Sequence, residues 1–347
     1  MSQHIEVVKQ ALEFKKPGYL PMEILDVPGI YNNNHTLDPD SVMLIPGTEN
    51  FDSMWTNCYS WFHKLIEKNN IGEEIRQDQF GTKIKIPNSE NYTYEILENP
   101  LFGKKDIKYY SFPEPDDHSD EFKKLGKVIE EKYNDRFING FIDPGIFIST
   151  QILLGTQNFF LQMADNINFV VEVYNGLADY YKGIAVNYKK AGAHMITDIE
   201  SLGSNKGLVI NPVIWRKYFK PILKDFFGFI HDIGLYTSIC IDGDAKDVLE
   251  DLFDMEVDLV FFVDINTTGI EIIKEKIKGR ICIKSTVDMK DTLDNKSPEE
   301  VKIEAHKIVD SLNASNGGFI CEALRWNRPE FPPENVKASV ETFNCYR

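Results

Sequence analysis

The chain has 347 residues, 42% of them apolar and 27% charged, with 38 basic against 54 acidic side chains and a formal net charge of −16. That size suits one large α/β barrel or two ordinary domains, and the composition is that of a water-soluble globular protein. The charge argues against a nucleic-acid backbone or an anionic membrane surface as partner, and five widely spaced cysteines without a CxxC pair do not read as a disulfide framework.

The N-terminal MSQHIEVVKQALEFKK has an amphipathic helix pattern and not that of a signal sequence. No uninterrupted apolar run is long enough to span a bilayer, so the expected location is the cytoplasm. Two short strands are expected at Leu20–Leu25 and Val42–Ile45. The stretch Asn50–His118 breaks the rhythm. It is rich in Asn, Asp, Tyr and Trp, and FGTKIKIPNSENYTYEIL reads as a hairpin. It is expected to be an insertion at the mouth of a single domain spanning residues 1–347, with Trp55, Tyr59 and Trp61 shaping a pocket or a rim, or simply packing. A charged helix follows at Glu121–Glu131.

From there strands and helices alternate. Strand Ile138–Asp143 precedes a long helix at Ile167–Lys190, with Phe169, Val173, Leu177, Tyr180, Tyr181 and Ile184 at helical spacing. Strand Ala193–Ile199 precedes a helix from Pro212, strand Leu235–Ile241 a helix at Lys246–Phe253, and strand Leu259–Val263 a helix at Gly269–Lys278. Strand Ile281–Ser285 precedes helical stretches at Met289–Leu293 and Pro298–Ser311. Strand Gly318–Glu322 and helix Pro333–Phe343 close the chain. Such alternation means a parallel sheet, and the strand count is that of a closed (β/α)₈ TIM barrel. A doubly wound open sheet is the alternative, but no GxGxxG follows any strand.

In such a barrel the chemistry sits at the C-terminal ends of the strands. This chain offers Glu23 on the first strand and Asp143 on the third. The fourth offers Asp198 and Glu200, with His194 deeper on the same face and expected to be a packed core histidine. Ser238, Cys240 and Asp242 follow on the fifth, Asp264 on the sixth, Ser285 and Asp288 on the seventh, and Cys321 and Glu322 on the last, before Arg325 and Trp326. Clustered carboxylates hold a cation or stay partly protonated for acid–base work. In YTSICIDGD, Cys240 and Asp242 are two apart on a strand and share a face. A soft and a hard ligand there suit a metal ion such as zinc. The alternative is a packed cysteine before an Asp-Gly-Asp turn.

Several segments together resemble the uroporphyrinogen decarboxylase superfamily. Asp78–Gly81 with FPEPDD resembles the DEWG … P-pdD segments of its corrinoid methyltransferase branch. AGAHMITDIES resembles the family's GAD-x-x-x-x-D strand, with Asp198 at the second Asp, and Asn211–Pro221 its SPxxWxxFxxP helix. STVD resembles GNVD, and GGFICEAL with FPPENVKA resembles its GGFI … PPENVxA ending. The arginine motif of true uroporphyrinogen decarboxylases has no counterpart in PMEILDVP at Pro21–Pro28.

The resemblance implies a corrinoid-dependent methyltransferase, moving a methyl group between a small methylated donor, such as a phenyl methyl ether or a methylamine, and a corrinoid protein. Cobalamin would be carried by that partner. Zinc would be held by Cys240, Asp242 and Cys321, at or near the positions of the family's His, Cys and Cys ligands. Asp198, Asp242 and Glu322 would polarise the donor, and Glu23, Asp143, Asp288, Arg325 and Trp326 would bind it. A decarboxylase or other lyase on the same fold, or a binding protein for a cationic small molecule, are the alternatives.

Overall fold

A computed structural model of the chain describes residues 2–25, 38–46, 63–87, 94–324 and 331–347. Eight parallel strands close a barrel: β1 (Met22–Leu25), β2 (Ser41–Leu44), β3 (Phe137–Ile142), β4 (Met195–Glu200), β5 (Tyr236–Ile241), β6 (Leu259–Phe262), β7 (Cys282–Ser285) and β8 (Phe319–Leu324). They neighbour one another in that order, and β8 returns to β1. This is the expected (β/α)₈ TIM barrel. Its strands read as apolar runs because parallel strands are buried on both faces: every residue of FINGFI and of LVFF is buried.

The helix Ile167–Ala191 supplies much of the outer packing, burying Tyr174, Tyr181 and Tyr188. Tyr188 lies against Gly140 of β3, where a Cβ would stand 2.6 Å from the ring. Its hydroxyl bonds the Phe141 carbonyl at 2.9 Å. The N-terminal end of the barrel is tied by buried Asp40, which accepts from the Met22 amide at 3.0 Å, from the Tyr19 hydroxyl at 2.8 Å and from Arg347 at 2.6 Å. The first and last segments of the chain are thereby fixed to the same carboxylate. Among the described residues no helix is long and apolar enough to cross a membrane.

The expected hairpin is present as strands Lys83–Ile86 and Glu95–Glu98, and it continues into a four-stranded antiparallel sheet with His63–Lys68 and Glu74–Asp78. Ile84 packs on Ile152 of helix Ile146–Leu154. That helix and the next, Thr156–Asp165, are not legible in the sequence, because IFISTQILL is apolar without a period and is buried almost throughout. The helix expected at Lys246–Phe253 is reduced to Asp251–Asp254. Lys276 and Arg216 donate to the carbonyls of Lys246 and Asp247, at 2.9 and 2.6 Å, which a helix would need for its own bonds.

Candidate active site

A buried polar layer crosses the barrel interior. Glu23 is registered with Ser41, Ser41 with Phe137, Asn139 with Met195, Thr197 with Ser238 and Lys284 with Ile320. With the stagger of about one residue per strand that closes such a barrel, Glu23, Asn139, Ser238 and Lys284 fall in one layer, from four alternate strands. The hydrogen bonds agree. Glu23 accepts from the Ser41 hydroxyl at 2.6 Å and from Asn139 Nδ2 at 3.1 Å, and its other oxygen is ion-paired with Lys284 Nζ. Thr197 Oγ1 donates to Asn139 Oδ1 at 2.9 Å. The Lys284 ammonium also stands over the Phe261 ring, 3.6 Å from its centroid. Among the described residues Ser238 Oγ has no hydrogen-bond partner.

Glu23, Ser41, Asn139, Thr197, Ser238 and Lys284 are all fully buried. Bulky branched apolar side chains dominate such layers in most barrels. Burying an ion pair brings little net stability, so a charged layer with an unpartnered hydroxyl points to chemistry and not to packing. Glu322, registered with Glu23 on β8, faces the same interior and is also buried. Cys240 lies one step beyond Ser238 on the inward face of β5, at 1% exposure.

The other residues expected at the mouth divide. Asp143 follows β3 and is buried, whereas Asp242 follows β5 and is exposed. Asp288 is engaged by backbone amides. It caps the π-helical turn Met289–Leu293, accepting from the amides of Asp291 and Thr292. Asp264 caps the turn after β6 in the same way. Arg325, Trp326, Trp55, Tyr59 and Trp61 lie outside the described residues.

Asp198 corrects the reading most sharply. Thr197 bonds Asn139 inside the barrel, so Asp198 and Glu200 face the opposite way, towards the helices. Asp198 accepts from the Ile146 amide at 3.3 Å, and Glu200 from the Phe147 amide at 2.9 Å and the Tyr174 hydroxyl at 3.3 Å. Burial pushes Asp198 well above the usual carboxylate range, and the neighbouring Glu200 adds to the rise. Glu200 is pushed up to about 7 by burial, against the pull of the Phe147 amide, Asp198 and Tyr174. The pair anchors the first turn of helix Ile146–Leu154 and is not the acid of the mouth. Gly145 sits directly on it: a Cβ there would stand 1.8 Å from the Ile199 carbonyl oxygen. Gly145→Ala is expected to lower folding stability by about 1–3 kcal/mol or more. A urea midpoint unchanged from the parent would contradict that.

The zinc set does not form either. Cys321 neighbours Met22 and Ser285 in register, on the side of β8 away from the interior, and its thiol contacts the Pro21 carbonyl at 3.4 Å. Burial pushes that thiol far above its usual value, the opposite of what a thiolate ligand needs. Cys240 is inside and Asp242 exposed at the rim, so the three donors do not converge. Among the described residues no group of three His, Cys, Asp or Glu side chains could hold a metal. His194 is the packed histidine expected: the Ile138 amide donates to its Nδ1 at 2.9 Å, its ring stacks on Phe137, and burial pushes its pKa down to about 4.

The residues missed in the sequence are Lys284, Asn139, Ser41 and Thr197. One signal was available: a lysine inside the strand CIKS, two residues beyond Cys282 on the same face, is a buried charge that needs a partner.

A family model described as uroporphyrinogen decarboxylase (URO-D) matches residues 75–346. A methyltransferase from Methanosarcina mazei superposes with a TM-score of 0.64 at 19% identity, covering 77% of this chain and 76% of that one. An endo-β-1,4-xylanase from Gloeophyllum trabeum gives a TM-score of 0.48 at 10% identity over 96% of this chain and 98% of that one. A B12-independent methionine synthase from a Shewanella species gives 0.40 at 11% identity, over 82% and 72%. At 19% identity the likeness to the methyltransferase shows the barrel fold alone. No curated protein matches the sequence.

Proposed function

The chain belongs to the uroporphyrinogen decarboxylase family, and from that premise we propose that it is a methyl-transfer enzyme, passing a methyl group from a small methylated donor to the reduced corrinoid of a partner protein. The observation that carries this reading is the charge inside the barrel. The family's namesake acts on a polycarboxylate, which needs cations to hold it. Among the described residues every arginine is engaged elsewhere: Arg76 with Glu74, Arg136 with Asp38, Arg216 with Asp251, Arg347 with Asp40, and Arg280 over the Phe253 ring. The one lysine of the polar layer is already neutralised by Glu23. A small donor with a single heteroatom makes no such demand. The fold shared with the Methanosarcina mazei methyltransferase favours the same reading.

In this mechanism the mouth of the barrel receives the donor and the corrinoid protein docks over the C-terminal ends of the strands. Corrinoid chemistry supplies the nucleophile that accepts the methyl group. This chain's residues bind the donor, exclude water and polarise its heteroatom. Of the acids expected to do so, Glu322 faces the interior and Asp242 stands at the rim. No role is left there for Asp198. The test is consumption of a Co(I) corrinoid protein, followed by its absorbance, on adding the purified chain with methoxylated arenes, methyl thioethers and methylamines in turn. Consumption that depends on both chain and donor supports the proposal. Release of CO₂ from a carboxylated substrate, without corrinoid, sinks it.

A further inference from the structure

Lys284 and Ser238 belong to the same polar layer, on β7 and β5, and among the described residues each has a hydrogen-bonding position to spare. An ammonium has three N–H donors. In Lys284 one goes to Glu23 and another faces the Phe261 ring. The Ser238 hydroxyl, fully buried on the inward face, has no hydrogen-bond partner among the described residues. A buried hydroxyl left unpaired is costly, and a group that arrives to fill the position removes that cost. Above Ser238 the same strand leads through Cys240 to exposed Asp242. The flanking Ile199 and Val263, on the same face at the ends of β4 and β6, are half-buried. Among the described residues, exposure on this face rises from buried Ser238 and Cys240 to exposed Asp242.

Resting on the methyl-transfer reading, we propose that Lys284, held by Glu23 in the layer it shares with Ser238, is the acid that protonates the leaving heteroatom, and that the donor is therefore a methyl ether or thioether and not a methylammonium ion. The chemistry separates the two classes. An ether oxygen leaves with the electron pair of the broken C–O bond and needs a proton. Lys284 gives it through its spare N–H, and a neutral alcohol or phenol departs. The new bond to the methyl group is made with an electron pair from the reduced corrinoid. Lys284, left as the amine, takes a proton back from water once the alcohol is gone. A methylammonium ion leaves as a neutral amine and accepts no proton in the step, so an acid at this position does nothing for it.

Arginine separates the acid from the charge, because a guanidinium keeps its proton. Lys284→Arg, and the neutral pair Glu23→Gln with Lys284→Met, are assayed with the parent on a series of ring-substituted phenyl methyl ethers and on tetramethylammonium, after circular dichroism has shown each variant folded. The expected result is graded. Ethers of weakly acidic phenols lose about 10²–10⁴-fold in rate in both variants, as removal of a general acid does. The nitro-substituted ether, whose phenolate leaves unaided, loses less than about tenfold. Equal losses across the series would overturn the role of Lys284 while the methyl-transfer reading stands. So would a parent protein that demethylates tetramethylammonium and ignores every ether. A parent that transfers methyl from none of these donors overturns both.

Discussion

Lys284→Met is expected to destabilise the fold by about 3–5 kcal/mol, the usual consequence of removing one partner from a buried ion pair. Glu23 would keep its bonds from Ser41 and Asn139 but lose its counter-charge in a fully buried layer. Adding Glu23→Met to Lys284→Met should recover most of that loss, because well-packed apolar replacements of a buried pair are often neutral or better. Urea unfolding of the parent, the two single variants and the double variant gives the coupling directly. A Lys284→Met protein as stable as the parent would mean that the ion pair does not exist as described. If the double variant is stable but inactive, the layer is retained for chemistry.

Asp198→Asn should change how stability depends on pH. In the folded chain burial raises both Asp198 and Glu200 above their values in an unfolded chain, so the folded state binds the extra protons. Stability from such groups is full below the unfolded values, near 4, and is lost as pH rises through the folded ones. Glu200 completes its part around pH 7, and Asp198, raised in the same direction by burial, adds to the fall. Each excess proton contributes a fall of about 1.4 kcal/mol per pH unit. Asparagine can accept from the Ile146 amide and donate to Glu200 without holding a titrating proton. The variant is expected to lose one proton's share of the slope and to be more stable than the parent at pH 8 and above. Parallel stability curves for parent and variant between pH 5 and 9 would show that Asp198 ionises normally, against this description of the pair.

The barrel was legible because its strands are short apolar runs separated by helices, and the eight expected strands are the eight observed. Local segments failed where tertiary contacts overrode local pattern, as in Lys246–Phe253, whose carbonyls are taken by Lys276 and Arg216. The candidate site was harder to read. Position along a strand placed Asp143 and Asp242 just beyond the C-terminal ends of their strands, but the face of each residue depends on a parity that a one-residue shift inverts. Glu23, Cys240 and Glu322 fell on the inner face. Asp198 and Cys321 fell on the outer one, where they serve the helices and the Pro21 carbonyl. Aspartates after strands drew attention as acids, yet Asp264 and Asp288 are helix caps, the commoner use of that residue in that place. Lys284 went unread because a single lysine in a strand is ordinarily a surface residue, and only its distant partner Glu23 makes it otherwise.

The most direct test follows the methyl carbon itself. The purified chain, a reduced corrinoid protein and a phenyl methyl ether labelled with ¹³C in its methoxy group are mixed for a single turnover and examined by NMR. The label is expected to leave the ether and appear on the corrinoid, with one equivalent of phenol formed and the transfer abolished when the chain is omitted. A label that stays on the ether, or that appears as CO₂ or methanol with the corrinoid unchanged, would contradict methyl transfer by this barrel.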